Sequence, residues 1–128
     1  MEVRKYSILV VDDEIMGTEL RGKILRQHGY SVALHHCPLA ALRCDLSKFN
    51  LAVIDFEMPG LNGLQLLWQM RALGARFPVV LLTGCLEALS YDDRVLFSKC
   101  ISKSRPTSDL LAAIAESLHS HQASDFSA

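Results

Sequence analysis

The sequence contains no apolar run that approaches the ~20 residues required by a transmembrane helix. It also has almost no net charge, because 13 Lys and Arg residues stand against 14 Asp and Glu residues. A chain this close to neutral gives no support for general binding to nucleic acid or to a membrane surface. Its N-terminus, Met1 to Lys5, lacks the pattern of a signal peptide. We therefore expect a cytoplasmic protein that contacts neither membranes nor nucleic acid directly.

Closely spaced cysteine pairs are absent as well: the chain has four cysteines, and none forms a C-x-x-C pair. Since structural zinc sites commonly take ligands from such closely spaced pairs, we do not expect structural zinc. His35 and His36 precede one cysteine, but adjacent residues of a strand point to opposite faces, so their proximity in sequence is weak support for a metal site. We expect reduced, partly buried thiols at all four positions, which are Cys37, Cys44, Cys85 and Cys100.

What the chain does have is apolar residues, which make up 50% of its 128 positions, enough for one domain with a buried core. Segments with apolar residues at helical spacing separate short apolar runs. Strands that alternate with helices of this length indicate βαβ units and a parallel sheet. The strands are predicted at about 6–12, 30–35, 50–55, 78–83 and 99–103.

The composition of the strands predicts their order. The first, third and fourth are continuous Val, Ile and Leu, as central strands of a parallel sheet are. The second alternates and the fifth is short and mixed, so both suit an edge. With right-handed crossovers, this pattern favours the order 2-1-3-4-5 of a doubly wound α/β fold. We assign residues 1–128 to this single domain, with a core over about 6–118 and an expected flexible tail over 119–128.

The helices have recognisable boundaries. Gly29 is expected to stop the first helix, Pro38 to open a short second one and Asn62 to cap the third. The last helix is expected to begin at Thr107 or Ser108. The apolar positions at helical spacing are Met16, Leu20 and Ile24 in the first, Leu66, Leu67, Met70 and Leu73 in the third, and Leu110, Ile114 and Leu118 in the last.

Polar side chains follow four of the predicted strands at their carboxyl ends. Asp12 and Asp13 follow the first strand, Asp55 the third, Thr83 the fourth and Lys103 the fifth. Because the carboxyl ends of parallel strands share one edge, these residues should converge. Three carboxylates, a hydroxyl and an ammonium suit a divalent cation and a phosphoryl group.

Each of these residues also has a simpler explanation. An aspartate pair often begins a helix, threonine favours strands, and lysine is commonly a solvated surface charge. The crowding of carboxylates argues for the functional interpretation. Three carboxylates within ~5 Å repel by ~3 kcal/mol per pair at an effective dielectric of 20. We expect a fold to retain such a cluster when a cation binds there.

Four motifs follow these strands: residues 10–14 (Val-Val-Asp-Asp-Glu), residues 55–60 (Asp-Phe-Glu-Met-Pro-Gly) with Gly63, the pair Thr83-Gly84, and Lys103. In this order they resemble the motifs of a response-regulator receiver domain of bacterial two-component signalling. The resemblance covers residues 7 to about 118. It implies a CheY-like fold and a role in a phosphorelay.

For the metal, the resemblance implies a Mg²⁺ site at one edge of the sheet. Asp13 and Asp55 would be direct ligands, and Asp12 would act mainly through water. The backbone carbonyl of Glu57 would complete the set of protein ligands.

For the phosphoryl group, the resemblance implies that Asp55 is the acceptor and becomes an aspartyl phosphate. Lys103 would pair with phosphoryl oxygens, and the Thr83 hydroxyl would donate a hydrogen bond to another. Gly84 would leave room for the group to approach the backbone.

The partners that the resemblance implies are a sensor histidine kinase or a histidine phosphotransfer protein as donor, and a downstream protein as target. The chain would catalyse its own phosphorylation and slow dephosphorylation, and we do not expect a metabolic enzyme. The face formed by the fourth helix, fifth strand and fifth helix would switch. We expect a monomer or a weak dimer.

The chain departs from the family pattern after the phosphoacceptor motif. Cys100 stands where the family usually has Tyr or Phe, and Ser104 stands where it usually has Pro. The interval from Thr83 to Lys103 is short, so segment 86–98 is expected to be irregular. A cis bond costs about 2.5–4 kcal/mol before a non-proline residue, so we expect a trans bond before Ser104 and a rerouted loop after it.

Two alternatives remain open. Cys100 and Ser104 motivate a receiver-fold interaction module whose output does not depend on phosphorylation. A phosphatase with an aspartyl nucleophile is the other. Those of similar fold normally carry Asp-x-Asp at the nucleophile, whereas this chain has Asp55-Phe56-Glu57.

Overall fold

The sheet is built from five strands, and the computed structural model describes residues 5–126, with side chains through residue 121. The strands are β1 (Ser7–Val11), β2 (Ser31–His35), β3 (Leu51–Ile54), β4 (Val79–Thr83) and β5 (Lys99–Ser102). They are parallel and lie in the order β2-β1-β3-β4-β5, which confirms the predicted doubly wound α/β fold. Val11 is registered with Ile54, so the carboxyl ends of β1 and β3 finish side by side.

The helices begin close to where the sequence predicts. They are α1 (Ile15–Gln27), α2 (Pro38–Arg43), α3 (Gly63–Ala72), α4 (Tyr91–Arg94) and α5 (Thr107–Phe126), with 3-10 turns at Leu46–Lys48 and Leu86–Ala88. Asn62 caps α3 as predicted: its Oδ1 accepts the N–H of Gln65 at 2.8 Å, and Gln65 Oε1 accepts the N–H of Asn62 at 2.9 Å. No helix within residues 5–126 has the length and apolar character required to cross a membrane.

The last helix extends into the segment that the sequence predicts as a tail. A flexible tail is predicted over 119–128, but α5 continues as a helix through Phe126. Positions 127 and 128 lie outside the described residues. Residues 119–126, which form this helical extension, contain no Gly or Pro that would stop a helix.

The sheet divides the core into two layers, because successive residues of a strand point to opposite faces. Leu9 and Ile54 face the layer that contains Leu66 and Met70 of α3. The other layer packs strand residues such as Val10 against Leu25 of α1 and Leu110, Ile114 and Leu118 of α5. The predicted stripes of α3 and α5 therefore face the core, except for Leu73, which is 62% exposed.

Helix α1 turns a different face to the sheet than its apolar spacing suggests. Met16 and Leu20 are 86% and 60% exposed, whereas the buried positions of α1 are Thr18, Gly22 and Leu25. A Cβ on Gly22 would lie 3.0 Å from the side chain of Leu34 in β2. The close approach of α1 to β2 thus selects a glycine, and Met16 and Leu20 are left toward solvent, while Ile24 is partly buried.

Segment 86–98 is irregular, as predicted. It contains one 3-10 turn and the four-residue α4. The Arg94 guanidinium crosses the segment, donating from Nη2 to Leu86 O at 2.6 Å and from Nε to Leu89 O at 3.3 Å. Leu89 and Phe97 are both buried against the sheet. One charged side chain and two apolar ones therefore hold this segment in place.

The connection from β5 to α5 is organised by serine. Ser102 Oγ accepts the N–H of Ser104 at 3.2 Å, the two Oγ atoms lie 2.8 Å apart, and Ser102 O accepts the N–H of Arg105 at 3.0 Å. No cis peptide bond occurs among the described residues, so the bond between Lys103 and Ser104 is trans, as predicted.

The four cysteines are free thiols in the structure. Cys44, Cys85 and Cys100 are partly buried, as expected, but Cys37 is exposed because it precedes α2 at the surface. Burial raises the pKa of the Cys44 and Cys100 thiols. A hydrogen bond with the Glu57 carboxylate raises the pKa of the Cys85 thiol. All three are therefore protonated, weakly reactive thiols at neutral pH.

Candidate functional site

The backbone of the sheet brings the predicted site residues to one edge. Asp12 and Asp55 directly follow β1 and β3, and the N–H of Asp55 donates to Val11 O at 3.0 Å. On the other side, the N–H of Lys103 donates to Thr83 O at 2.8 Å. Backbone hydrogen bonds at the ends of the strands thus fix Asp55 and Lys103, and the predicted convergence of the site residues on one edge is observed.

Three carboxylates form a tight cluster at this edge. One oxygen from each of Asp12, Asp13 and Asp55 can be chosen such that all three lie within 4.8 Å of one another. Asp12 and Asp55 are 3% and 5% exposed, while Asp13 is exposed. Glu57, two residues after Asp55, is exposed in the following loop. Oxygen donors of this kind and number suit a hard cation such as Mg²⁺.

Lys103 reaches into this cluster. Its Nζ lies 2.8 Å from Asp12 Oδ2 and 3.4 Å from both Asp55 Oδ2 and Glu14 Oε2. Burial lowers the pKa of Lys103, but its contacts with Asp12 and Asp55 outweigh burial, so the pKa is raised overall. The lysine is therefore a permanent cation beside the predicted phosphoacceptor.

The Asp55 carboxyl has a raised pKa. Burial is the main cause and the neighbouring charge of Asp12 is the second, while Lys103 and the N–H of Phe56 act in the opposite direction. That N–H donates to Asp55 Oδ1 at 2.8 Å, which fixes one carboxylate oxygen. Oδ2 faces Lys103. Any added positive charge beside this group would favour its anionic, nucleophilic form.

Thr83 and Gly84 end the fourth strand at the same edge. Thr83 is 1% exposed, and its Oγ1 accepts the N–H of Cys85 at 3.2 Å. Because this oxygen acts as an acceptor there, its hydrogen is free to point elsewhere. A Cβ on Gly84 would meet no atom within 4 Å, so the space beside this residue is open.

The loop after Asp55 is packed closely against the start of α3. The N–H of Gly63 donates to Phe56 O at 2.8 Å. A Cβ at Gly63 would lie 2.6 Å from Asp55 O and 3.0 Å from Phe56 Cα. Gly60, with φ +89°, makes the turn between them. Gly63 thus allows the helix to seat directly on the backbone of Asp55.

Sequence reasoning missed Arg21. Its Nη2 donates to Asp12 Oδ2 at 3.0 Å, from the second turn of α1. A lone arginine in a helix matches no motif, so only its tertiary contact identifies it. The glycine at position 17 is the one sequence feature connected with this contact, because a Cβ there would lie 2.7 Å from Glu14 Oε1 and 3.2 Å from Arg21 Nη1. A missing side chain one helical turn earlier leaves room for a long one to reach the strand end.

Comparison with known proteins agrees with the resemblance to receiver domains that the sequence motifs indicate. A family model described as the response regulator receiver domain matches residues 8–115. The CpxR homolog of Haemophilus influenzae, named a transcriptional regulatory protein, is 33% identical over 112 residues, which cover 84% of this chain and 48% of that protein. The regulatory protein VanR of Enterococcus faecium is 35% identical over 78 residues, covering 60% of this chain and 33% of that protein.

This chain thus spans a third to a half of the length of the relatives just named. Because the first of them is named as a transcriptional regulator, the predicted absence of a nucleic-acid role gains no support from these matches.

Solved structures show the same fold. A CheY-like receiver domain protein of Methanospirillum hungatei has a TM-score of 0.81 at 26% identity, over 94% of this chain and 99% of that one. The response regulator TrrA of Thermotoga maritima, solved in complex with Mg(2+)-BeF, has a TM-score of 0.79 at 27% identity, over 88% of this chain and 98% of that one.

Proposed function

Because this chain belongs to the response regulator receiver domain family, we propose that it accepts a phosphoryl group on Asp55 in a Mg²⁺-dependent reaction. One observation carries the proposal. Oxygens of Asp12, Asp13 and Asp55 lie within 4.8 Å of one another, and Lys103 Nζ lies 3.4 Å from Asp55 Oδ2. An acceptor, a set of metal ligands and a phosphoryl-binding cation thus occupy one edge of the sheet.

The chemistry requires little of the protein beyond position and charge. An Asp55 carboxylate oxygen attacks the phosphorus of a phosphohistidine. The O–P bond forms as the P–N bond breaks, and the histidine imidazole leaves with the electron pair of that bond and is protonated. Lys103, already beside Asp55, moves onto the phosphoryl oxygens as their charge arrives. The Thr83 hydroxyl donates to another phosphoryl oxygen.

The donor set fits Mg²⁺. Asp13 and Asp55 would hold the ion directly with the backbone carbonyl of Glu57, and Asp12 would contact it mainly through water. When bound, the ion would neutralise carboxylate and phosphoryl charge in this crowded pocket. The protein side of the reaction is therefore the preorganisation of acidic and basic groups, since these groups need no large rearrangement to surround a phosphoryl group.

The proposed donor is a sensor histidine kinase or a histidine phosphotransfer protein, and the proposed target is a downstream protein. The new phosphoryl charge would bias the face formed by α4, β5 and α5. Such a domain acts as a switch and not as a metabolic enzyme, because its only turnover is its own phosphorylation and slow hydrolysis.

The test is phosphorylation by a small phosphodonor with Mg²⁺. Intact-mass spectrometry should show one phosphoryl group, which hydroxylamine removes because it is an acyl phosphate. Asp55→Asn should gain none. Asp45→Asn is the matched control, because Asp45 carries the same side chain at the start of an exposed 3-10 turn, where it accepts hydrogen bonds from Ser47 and lies outside the carboxylate cluster. A stable phosphate on Ser or His, with Asp55 unmodified, would contradict the proposal.

A second candidate is an interaction module whose output does not depend on phosphorylation. Cys100 favours it, because this small side chain replaces the aromatic residue usual in the family and donates to Arg94 O at 3.6 Å. Equal affinity of a partner for the protein with and without a beryllofluoride phosphate mimic would support this candidate over the first.

A further inference from the structure

Asp12 is already paired with two cations. Its Oδ2 lies 2.8 Å from Lys103 Nζ and 3.0 Å from Arg21 Nη2. Its other oxygen, Oδ1, accepts the N–H of Glu14 at 2.9 Å. The Asp12 side chain is only 4% exposed, so water does little to share this oxygen. A further positive charge near Asp12 therefore has to compete with both side chains.

The two cations differ in what else they contact. Lys103 also reaches Asp55 and Glu14, so it can leave Asp12 without losing every partner. Arg21 has Asp12 as its ion-pair partner, with only a long contact of 3.4 Å to Thr18 Oγ1 beside it. Arg21 is thus the dedicated counter-cation of Asp12.

The position of the guanidinium supports this assignment. The Arg21 side chain is 17% exposed, and its Nε is buried with no hydrogen-bond partner within the described part of the chain. Leaving a buried donor unpaired is costly. The side chain accepts that cost while its Nη2 meets Asp12, which indicates that the ion pair determines where the arginine lies.

We propose that Arg21 sets the divalent-cation affinity of this pocket by competing with the ion for Asp12. The inference rests on the proposed function, since it takes the carboxylate cluster as the Mg²⁺ site. Counted against Lys103 and Arg21, the three clustered aspartates leave a single excess negative charge. Without Arg21 that excess doubles, and a cation is attracted more strongly. Arg21 thus weakens cation binding and stabilises the ion-free pocket.

The same residue acts differently once Lys103 turns to phosphoryl oxygens. Asp12 then loses one cation, and Arg21 keeps its carboxylate compensated. The pocket can therefore release Lys103 without leaving a buried carboxylate unpaired. This makes Arg21 a positioning residue for the phosphoryl transfer reaction, acting through Asp12.

The test measures Mg²⁺ affinity directly, without a phosphodonor, by isothermal titration calorimetry at low ionic strength. Arg21→Met should bind Mg²⁺ more tightly than wild type by a factor of about ten or more, because the substitution removes one nearby positive charge and screening is weak at low ionic strength. Arg21→Gln is a second variant that keeps a polar side chain. Arg21→Lys should stay close to wild type, since it keeps the charge.

Lys23→Met is the matched control. Lys23 is exposed on the same helix, so the variant loses the same net charge without touching Asp12. It should bind Mg²⁺ as wild type does. If wild type binds Mg²⁺ and both Arg21→Met and Arg21→Gln bind it no more tightly than wild type, the role of Arg21 is wrong while the proposed metal site stands. No Mg²⁺ binding by any variant, wild type included, would overturn the proposed metal site itself.

Discussion

Lys103 Nζ and Asp12 Oδ2 lie 2.8 Å apart, so this lysine pairs more closely with Asp12 than with the predicted phosphoacceptor Asp55, whose Oδ2 is 3.4 Å away. The two side-chain cations of the pocket therefore both pair with Asp12. Two cations converge on one buried oxygen, and the other carboxylates are arranged around them. Removing either cation should be felt through Asp12 as well as through Asp55.

Lys103→Met should lower the free energy of unfolding by about 2 kcal/mol or more at neutral pH in EDTA, because it leaves two buried carboxylates with less compensation. Urea unfolding with linear extrapolation measures this difference. Lys48→Met, which removes a lysine from an exposed 3-10 turn, should change stability by much less. Equal effects of the two substitutions would contradict an ion-paired role for Lys103.

The raised pKa of Asp55 predicts a pH dependence of stability in EDTA. Because the folded protein holds this proton more tightly than the unfolded chain, stability should rise as pH falls through the folded pKa toward the unfolded value of about 3.9. Asp55→Asn cannot take up the proton and should lack this gain. Urea midpoints of both proteins between neutral pH and pH of about 4 provide the measurement. Parallel pH profiles would show that Asp55 has no raised pKa.

Removal of like-charge repulsion should stabilise the protein in the absence of Mg²⁺. Asp13→Asn should therefore raise the melting temperature in EDTA. The same substitution should abolish stabilisation by Mg²⁺, since a ligand that binds only the native state stabilises it by mass action. Thermal unfolding with and without Mg²⁺ gives both values. A wild-type response to Mg²⁺ in Asp13→Asn would place the ion elsewhere.

Two glycines of the phosphoacceptor region should respond oppositely to alanine. Gly63→Ala should destabilise the protein by about 2 kcal/mol, because its Cβ would lie 2.6 Å from Asp55 O and overpacking of backbone is costly. Gly84→Ala should be close to neutral, since its Cβ meets open space. Chemical denaturation compares the pair. Similar losses at both positions would mean that steric contact at Gly63 is not the cause.

Output should involve the irregular segment more than a strand-5 aromatic, because Cys100 is too small to move a large apolar area. A modification shifts a two-state equilibrium only by its differential interaction with the states, and a shift from 1:99 to 99:1 needs about 5.5 kcal/mol. A phosphate mimic should therefore move amide resonances chiefly in 86–98, in 104–107 and near Asp55. Cys100→Tyr should enlarge the response at α4. Largest shifts on α1 or α2 would place the output face elsewhere.

The sheet and its polar edge could be predicted because they depend on local patterns. Runs such as Leu51–Ile54 are apolar throughout, each is followed by a polar residue, and parallel topology brings those residues together. The alignment of Asp12, Asp55 and Lys103 thus requires only the order of the strands. Their roles in metal and phosphoryl binding rest on the family and remain predictions.

Helix α1 could not be predicted in the same way. Its apolar spacing through Met16 and Leu20 is real, but which face meets the sheet depends on tertiary partners. Gly22 fits against Leu34, and Arg21 reaches Asp12, and neither contact leaves a periodic signal in the sequence. Arg21, the site residue that no sequence motif indicates, therefore lies in α1, the helix whose orientation the sequence pattern does not predict.

The hydrogen bonds that Arg94 donates to Leu86 O and Leu89 O hold segment 86–98 together. Opening of this segment therefore has a free energy of its own, separate from that of global unfolding. Leu89 and Phe97 are its buried apolar side chains, so we expect this segment to open more readily than the sheet. A partner that binds only the ordered form must supply the conformational entropy of ordering this segment. For such a partner, we expect the affinity to depend on the fraction of the free protein in which segment 86–98 is ordered, as well as on the contacts that the partner makes.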